Sequence, residues 1–225
     1  MWPTLNKSLR RLRPRGAPPK WFHSTKDDST LSAVETAWNA FEGGVDIVVN
    51  NSGIGNLGPC LDLTTEAFDE VMNINLRGAF VVSREFAKRM VAAGKRGSII
   101  NVSSAAGDGA LMWGVPYCAS KAAMNHMTRT MARELGPKGI RVNALAPGYI
   151  ITDINATLLN SPMGEHMAST IPLRKFGDIE KDLHGALLLL ASDAGAYMTG
   201  SVVVVDGGVV SGTVTSIDPD WKDPI

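Results

Sequence analysis

Four short runs rich in β-branched residues, at residues 45–50 (VDIVVN), 98–103 (SIINVS), 141–146 (RVNALA) and 201–205 (SVVVV), constrain this chain more than any other feature. Such runs read as strands covered on both faces. Between them lie longer segments with helical spacing. Leu31, Val34, Trp38 and Phe41 form one stripe, opened by a capping-box pair, Ser32 and Glu35, and stopped at Gly43-Gly44. Residues 66–93 carry Phe68, Val71, Met72, Asn75, Leu76, Ala79, Phe80 and Phe86 on one stripe, which predicts a single long helix. Further helices are expected over residues 117–135 and 178–192. Strand and helix alternating in this way imply parallel strands joined by right-handed crossovers. The expected fold is α/β, a doubly wound parallel sheet of Rossmann-like type.

Charge and cysteine content narrow the function. The 225 residues carry no formal net charge. Residues 1–26 nevertheless hold Lys7, Arg10, Arg11, Arg13, Arg15, Lys20 and Lys26 and no acid, which leaves the remainder acidic. Prolines 3, 14, 18 and 19 interrupt any helix there, so this leader is expected to be unstructured and to precede one domain over residues 27–225. Its basic character also admits organellar import, although the cytoplasm is the default compartment. Cys60 and Cys118 are too few and too far apart for a disulfide framework or a metal site. No apolar run is long enough to span a bilayer, so no membrane partner is expected. With aromatic residues at 6% and no stacking platform, nucleic acid is not expected either.

Gly53, Gly55 and Gly58 spell G-x-G-x-x-G directly after a predicted strand. That pattern cradles a pyrophosphate only when the glycines open a helix. Here the next helix is expected to begin near Glu66, so the better reading of Asn50-Asn51-Ser52-Gly53 is a turn at a strand's carboxyl end, where open α/β sheets place ligands.

Tyr117 and Lys121, spaced i, i+4, share one face near the start of a helix. A neighbouring ammonium stabilises a phenolate, which suits a tyrosine for acid/base work near neutral pH. Such a pair is common on helices and needs context. Ser104 follows a predicted strand, placing a hydroxyl at the sheet edge. Asn75 lies among apolar positions of a helix, where a buried amide needs partners. Pro147-Gly148 forces a sharp exit from the strand at residues 141–146.

Taken together, Asn50-Asn51-Ser52-Gly53, Asn75, Ser104, Tyr117-x-x-x-Lys121, Pro147-Gly148 with Thr152, and Asp206-Gly207-Gly208 resemble the short-chain dehydrogenase/reductase family in order and spacing over about residues 30–210. The resemblance implies an NAD(P)-dependent oxidoreductase that interconverts a carbonyl and a secondary alcohol, using NADP or NAD. It implies that Tyr117 is the acid/base, that Lys121 assists it and binds the nicotinamide ribose, that Ser104 orients the substrate and that Asn75 holds a relay water. Asn51, Ser52 and Gly53 would flank the adenosine ribose, with Pro147, Gly148, Ile150 and Thr152 beside the nicotinamide. Residues 150–176 resemble the family's substrate lid. Partners would be a small carbonyl or alcohol substrate and further subunits, in a homo-oligomer or with full-length family members.

Measured against that family, residues 1–30 contain no counterpart of the opening strand, T-G-x-x-x-G-x-G turn and helix. An N-terminally truncated or alternatively spliced chain, or a misassigned start, is therefore expected. Cofactor binding would be weakened, and residues 45–50 would form an open sheet edge. A second reading follows, in which the chain is catalytically impaired and serves as a binding or assembly partner.

Overall fold

The computed structural model describes residues 27–211, apart from residues 43, 153 and 154. The expectation for residues 1–26 lies outside the described residues. In chain order the structure forms α1 (Asp27–Asn39), β1 (Ile47–Asn50), α2 (Thr65–Met72), α3 (Gly78–Ala92), β2 (Gly97–Val102), α4 (Val115–Leu135), β3 (Ile140–Pro147), α5 (Ala156–Leu159), α6 (Pro162–Thr170), α7 (His184–Ala191) and β4 (Val202–Val205). The strands make one parallel sheet in the order β1-β2-β3-β4. Each parallel step is bridged by helix, as the alternation predicts.

Register sends alternate residues to opposite faces. Val48, Ile99 and Val142 are aligned across three strands and pack with Val34 of α1, Phe86 and Met90 of α3, and Ala132 of α4. Ile100 and Leu145 face the other way, onto Leu190 of α7. The sheet is thus covered on both faces, and burying side chains such as Met90, Ile99 and Ile140 contributes about 1.5–3 kcal/mol each. Among the described residues β1 is an edge strand, with Val49 exposed.

A buried polar chain ties the carboxyl ends of the strands to the helices above them. Asn50 and Asn101 are register partners. One amide of Asn50 donates to Asn101 Oδ1 at 2.7 Å and to Ser83 Oγ of α3 at 2.8 Å. Asn101 in turn donates to Thr128 Oγ1 of α4 at 2.9 Å. Unpaired, these buried amides would cost about 1–3 kcal/mol apiece, so their pairing fixes how both helices sit on the sheet.

Three sequence expectations need correction. Helix α1 begins at Asp27, upstream of the Ser32 and Glu35 capping box. Ser32 is therefore interior, where its carbonyl accepts from Thr36 Oγ1 at 2.8 Å. The long helix is not uniform, because a π-helical turn at Asn73–Arg77 divides α2 from α3. Its stripe is divided too: Val71, Asn75, Ala79 and Phe86 are buried, whereas Phe68 and Phe80 are exposed. A second π-turn, Ile179–Leu183, precedes α7, with Asp178 capping it by accepting from Lys181 N at 2.8 Å.

Candidate active site

The carboxyl ends of the strands carry the residues singled out from the sequence. Gly114 caps α4 and Pro116 occupies its first turn, where a missing N–H is harmless. Tyr117, half-buried, and Lys121 follow on one helical face. Lys121 is only 4% exposed. Its Nζ donates to the Val102 carbonyl at 2.8 Å and lies 5.6 Å from the centre of the Tyr117 ring. Withdrawal from water pushes the Lys121 pKa down to about 8, because a low-dielectric site disfavours the charged form.

Asn75 sits in the π-turn and is inaccessible to solvent. Its side chain brackets one residue of the loop after β1, accepting from Ile54 N at 2.8 Å and donating to Ile54 O at 2.9 Å. It also donates to Ser120 Oγ of α4 at 3.0 Å. A π-turn inserts one residue into helical phase, which allows Asn75 to face this loop without turning the rest of α3 off the sheet. Gly53 fills the space between the two chemical groups. A Cβ there would lie 3.3 Å from Asn75 Oδ1 and 3.4 Å from Lys121 Nζ.

Ser104 begins the turn of 3-10 helix at Ala105–Gly107, and its Oγ accepts from Ala106 N at 3.1 Å. Contacts with α4 dock this turn. Ser103 Oγ donates to Lys121 O at 3.2 Å. Gly107 lies so close to the Lys121 backbone that a Cβ would stand 3.0 Å from its carbonyl carbon. Asn125 Nδ2, one helical turn past Lys121, donates to Asp108 Oδ1 at 3.3 Å.

Beyond β3 the chain turns away at Pro147-Gly148. Gly148 donates to Val205 O at 2.9 Å, and a Cβ on it would reach within 2.7 Å of Asp206. Asp206 holds its own glycine turn, accepting from Gly208 N and Val210 N at 2.8 Å each. Asn155 then ties down Ile150 and Thr152 by donating to Ile150 O at 2.9 Å and accepting from Thr152 N at 2.8 Å. Ile150 and Thr152 are half-buried, while Asn51, Ser52 and Gly53 are exposed at the end of β1.

The structure thus brings Asn75 and Lys121 against Gly53, with Tyr117 beside Lys121 and Gly55, and sets the Ser104 turn against the same turn of α4. Pro147, Gly148, Ile150 and Thr152 form a separate wall at the ends of β3 and β4. Sequence reasoning missed Ser120, Ser103 and Asn125. Their signal was positional: Ser120 is at i+3 from Tyr117, and Asn125 is at i+4 from Lys121.

Cavities divide between the two ends of the sheet. One of about 240 Å³ lies at the amino ends of the strands, lined by Asp46, Arg96, Gly97, Gly139, Arg141 and Asp193, away from Tyr117. Arg141 is already committed there, donating to the carbonyls of Leu190, Ser192 and Met198. A second, of about 120 Å³, lies below the wall at Tyr149, Ile150, Leu173 and Asp206. Among the described residues no cluster of His, Cys, Asp and Glu could hold a metal, and no helix is long and apolar enough to cross a membrane.

These residues fit the ribose and nicotinamide end of a dinucleotide. Lys121 has a buried ammonium with one carbonyl partner and unused N–H groups, beside a glycine with no side chain to block approach. The glycine fingerprint does not fit the pyrophosphate. Gly53, Gly55 and Gly58 lie in coil, and α2 opens only after Thr64, whose hydroxyl accepts from Ala67 N at 3.2 Å.

Comparison with known proteins bears on the family and the activity. The family model described as enoyl-(acyl carrier protein) reductase matches residues 23–210. L-xylulose reductase of Mus musculus is 41% identical over 181 residues, which is 77% of this chain and 74% of the relative. D-erythrulose reductase of Gallus gallus is 38% identical over 182 residues, 80% of this chain and 72% of that one. A crystal structure of gluconate 5-dehydrogenase from Burkholderia cenocepacia, in complex with NADP and tartrate, superposes with a TM-score of 0.79 at 31% identity, covering 86% of this chain and 74% of that one. These relatives support the oxidoreductase reading and lend none to the assembly-partner alternative. The chain belongs to the short-chain dehydrogenase/reductase family and is an NAD(P)-dependent oxidoreductase that interconverts a carbonyl and an alcohol.

Proposed function

We propose that Tyr117 handles the proton in this reaction, that Lys121 and Asn75 set its surroundings, and that Ser104 orients the reacting oxygen. The observation that carries this reading is the buried Lys121 ammonium, 5.6 Å from the Tyr117 ring. When bound, NAD(P)H supplies the hydride that reduces the carbonyl carbon. In that direction Tyr117 Oη gives its proton to the carbonyl oxygen, and in alcohol oxidation it takes the proton back. The Lys121 cation stabilises the phenolate left in between. Ser104 Oγ already accepts from a backbone N–H, so its own proton is available to donate to the substrate oxygen. Asn75 holds Ile54 and Ser120, and with them the loop whose Gly53 leaves room over Lys121. The nicotinamide ribose hydroxyls would be held by Lys121, with Pro147, Gly148, Ile150 and Thr152 beside the nicotinamide and Asn51, Ser52 and Gly53 flanking the adenosine ribose.

The same reading includes association with other subunits, supported by the exposed Phe68 of α2 and the exposed Phe80 and Val91 of α3. The test is steady-state oxidation of NADPH and of NADH by the purified full chain with a panel of ketones, alongside Tyr117→Phe. Ketone-dependent turnover that the Phe variant loses supports the assignment. Equal turnover by both proteins refutes it.

A further inference from the structure

The loop between β2 and α4 holds a residue in an unfavourable conformation just ahead of Tyr117. Residues Leu111 to Gly114 form a tight turn closed by Gly114 N donating to Leu111 O at 3.0 Å. Its third position is Trp113, with φ of 63°. Turns of this kind place glycine or asparagine there, and left-handed backbone costs a bulky L-residue about 1–2 kcal/mol. Trp113 gains no burial in return, since it is 58% exposed and Met112 beside it is 78% exposed. Strain kept without burial points to a ligand.

What surrounds Trp113 gives the character of that ligand. Its carbonyl accepts from Gly58 N at 2.9 Å, which joins the turn to the loop after β1. In that loop the open side of Gly55 faces both the Tyr117 ring and Leu57, at 3.8 and 3.9 Å from where a Cβ would stand. Leu57 and Val115 are exposed as well. The two joined loops and the first residue of α4 therefore present an exposed apolar rim of Leu57, Met112, Trp113 and Val115, with Leu57 and the Tyr117 ring both against the open side of Gly55. Between Ser104 and Tyr117 the single charged side chain is Asp108, and Asn125 engages it. A polyhydroxylated substrate needs several hydrogen-bonding side chains, because each hydroxyl stripped of water without a partner is penalised. This rim offers an indole, a thioether and branched alkyl groups instead.

We propose that Trp113 and Met112 are specificity-determining residues that select a ketone bearing an aryl or branched alkyl group, in preference to a polyhydroxylated ketone. The inference rests on Tyr117 being the proton donor and names the substrate class of that same site. In the reaction the ketone carbon gains hydride and its oxygen gains the Tyr117 proton, giving the secondary alcohol.

The full chain is assayed with benzylacetone and with D-erythrulose, and binding of each is followed separately by saturation-transfer NMR without cofactor. Trp113→Gly suits the left-handed backbone and removes the indole, so folding is not at risk. The expected result is a higher kcat/KM for benzylacetone than for D-erythrulose, with that ratio falling about tenfold or more in Trp113→Gly and recovering in Trp113→Phe. Saturation transferred to the benzylacetone ring should weaken in parallel. A kcat/KM for D-erythrulose equal to or above that for benzylacetone overturns the proposal while leaving the acid/base reading intact. Absence of reduction with every ketone instead overturns the reading of Tyr117. The rim is then judged by NMR alone: a benzylacetone ring signal that Trp113→Gly abolishes supports it, and a signal absent from the parent or unchanged in the variant overturns it.

Discussion

The Lys121 ammonium lies 5.6 Å from the centre of the Tyr117 ring while donating at 2.8 Å to the Val102 carbonyl at the end of β2. The helix spacing sets the first relationship, and the sheet sets the second. Lys121 is thereby pinned between strand and tyrosine, with Gly53 over it. Its charge is held in a place from which water has been largely removed.

Tyr117→Phe removes one hydroxyl from a half-buried ring and leaves the helix spacing unchanged. We expect kcat to fall by about 10²- to 10⁴-fold, the usual contribution of a positioned acid/base. Urea unfolding should stay within about 1 kcal/mol of the parent chain. Steady-state kinetics with the full chain, paired with a denaturation curve, checks both halves.

Lys121→Met should separate activity from stability. Burial lowers the Lys121 pKa from 10.5 to about 8, so between those values the unfolded chain binds more protons than the folded one. Parent stability therefore rises with pH across that window, and below it the burial penalty is present in full. The shift corresponds to about 3 kcal/mol. The Met variant should be more stable than the parent at pH 7 by up to about 3 kcal/mol, with the gap closing as pH rises towards 10.5, and it should be inactive. Urea titrations at pH 7 and pH 10 measure the gap.

Asn75→Ala leaves the Ile54 N–H and C=O without their partner and removes one of two hydrogen bonds at Ser120 Oγ, which still donates to Tyr117 O at 2.7 Å. A loss of about 2–4 kcal/mol is expected from such unsatisfied groups. Hydrogen exchange should show the Ile54 amide opening before the β2 and β3 amides do. Equal protection at Ile54 in parent and variant would refute the bracketing role.

Gly148→Ala places a methyl within 2.7 Å of Asp206. Overpacking against backbone is expected to cost about 1–3 kcal/mol. Gly136, the C-cap of α4, has φ of −55° and nothing within 4 Å of a Cβ, so Gly136→Ala should be neutral or slightly stabilising. Thermal melts of the pair provide the comparison.

Much of this was legible because it depends on local pattern. The β-branched runs at residues 98–103 and 141–146 appear as β2 and β3, displaced by about one residue at their ends. The i, i+4 spacing placed Tyr117 and Lys121 together, as the structure shows. The π-turn was not legible, since residues 66–93 keep helical periodicity closely enough for one extra residue to pass unnoticed. The start of α1 was misread because Ser32 and Glu35 match a capping box while the helix already extends back to Asp27. Asn125 and Asp108 were invisible as a pair, because only the docking of the Ser104 turn on α4 brings them together.

The π-turn at Asn73–Arg77 makes α2 and α3 two helices with different phases. Ahead of it, rotation about the axis is dictated by the loop that Asn75 grips; behind it, by Phe86 and Met90 against the sheet. Deleting one residue there would restore regular α-helical winding with α3 still seated on the sheet, but would remove the bulge that carries Asn75. Phe86 and Met90 could then keep their places only at the expense of the amide's grip on Ile54. Length changes at this bend are therefore far more damaging than point substitutions on the outer surface of the same helix, and a library of single-codon deletions would find its sharpest intolerance there.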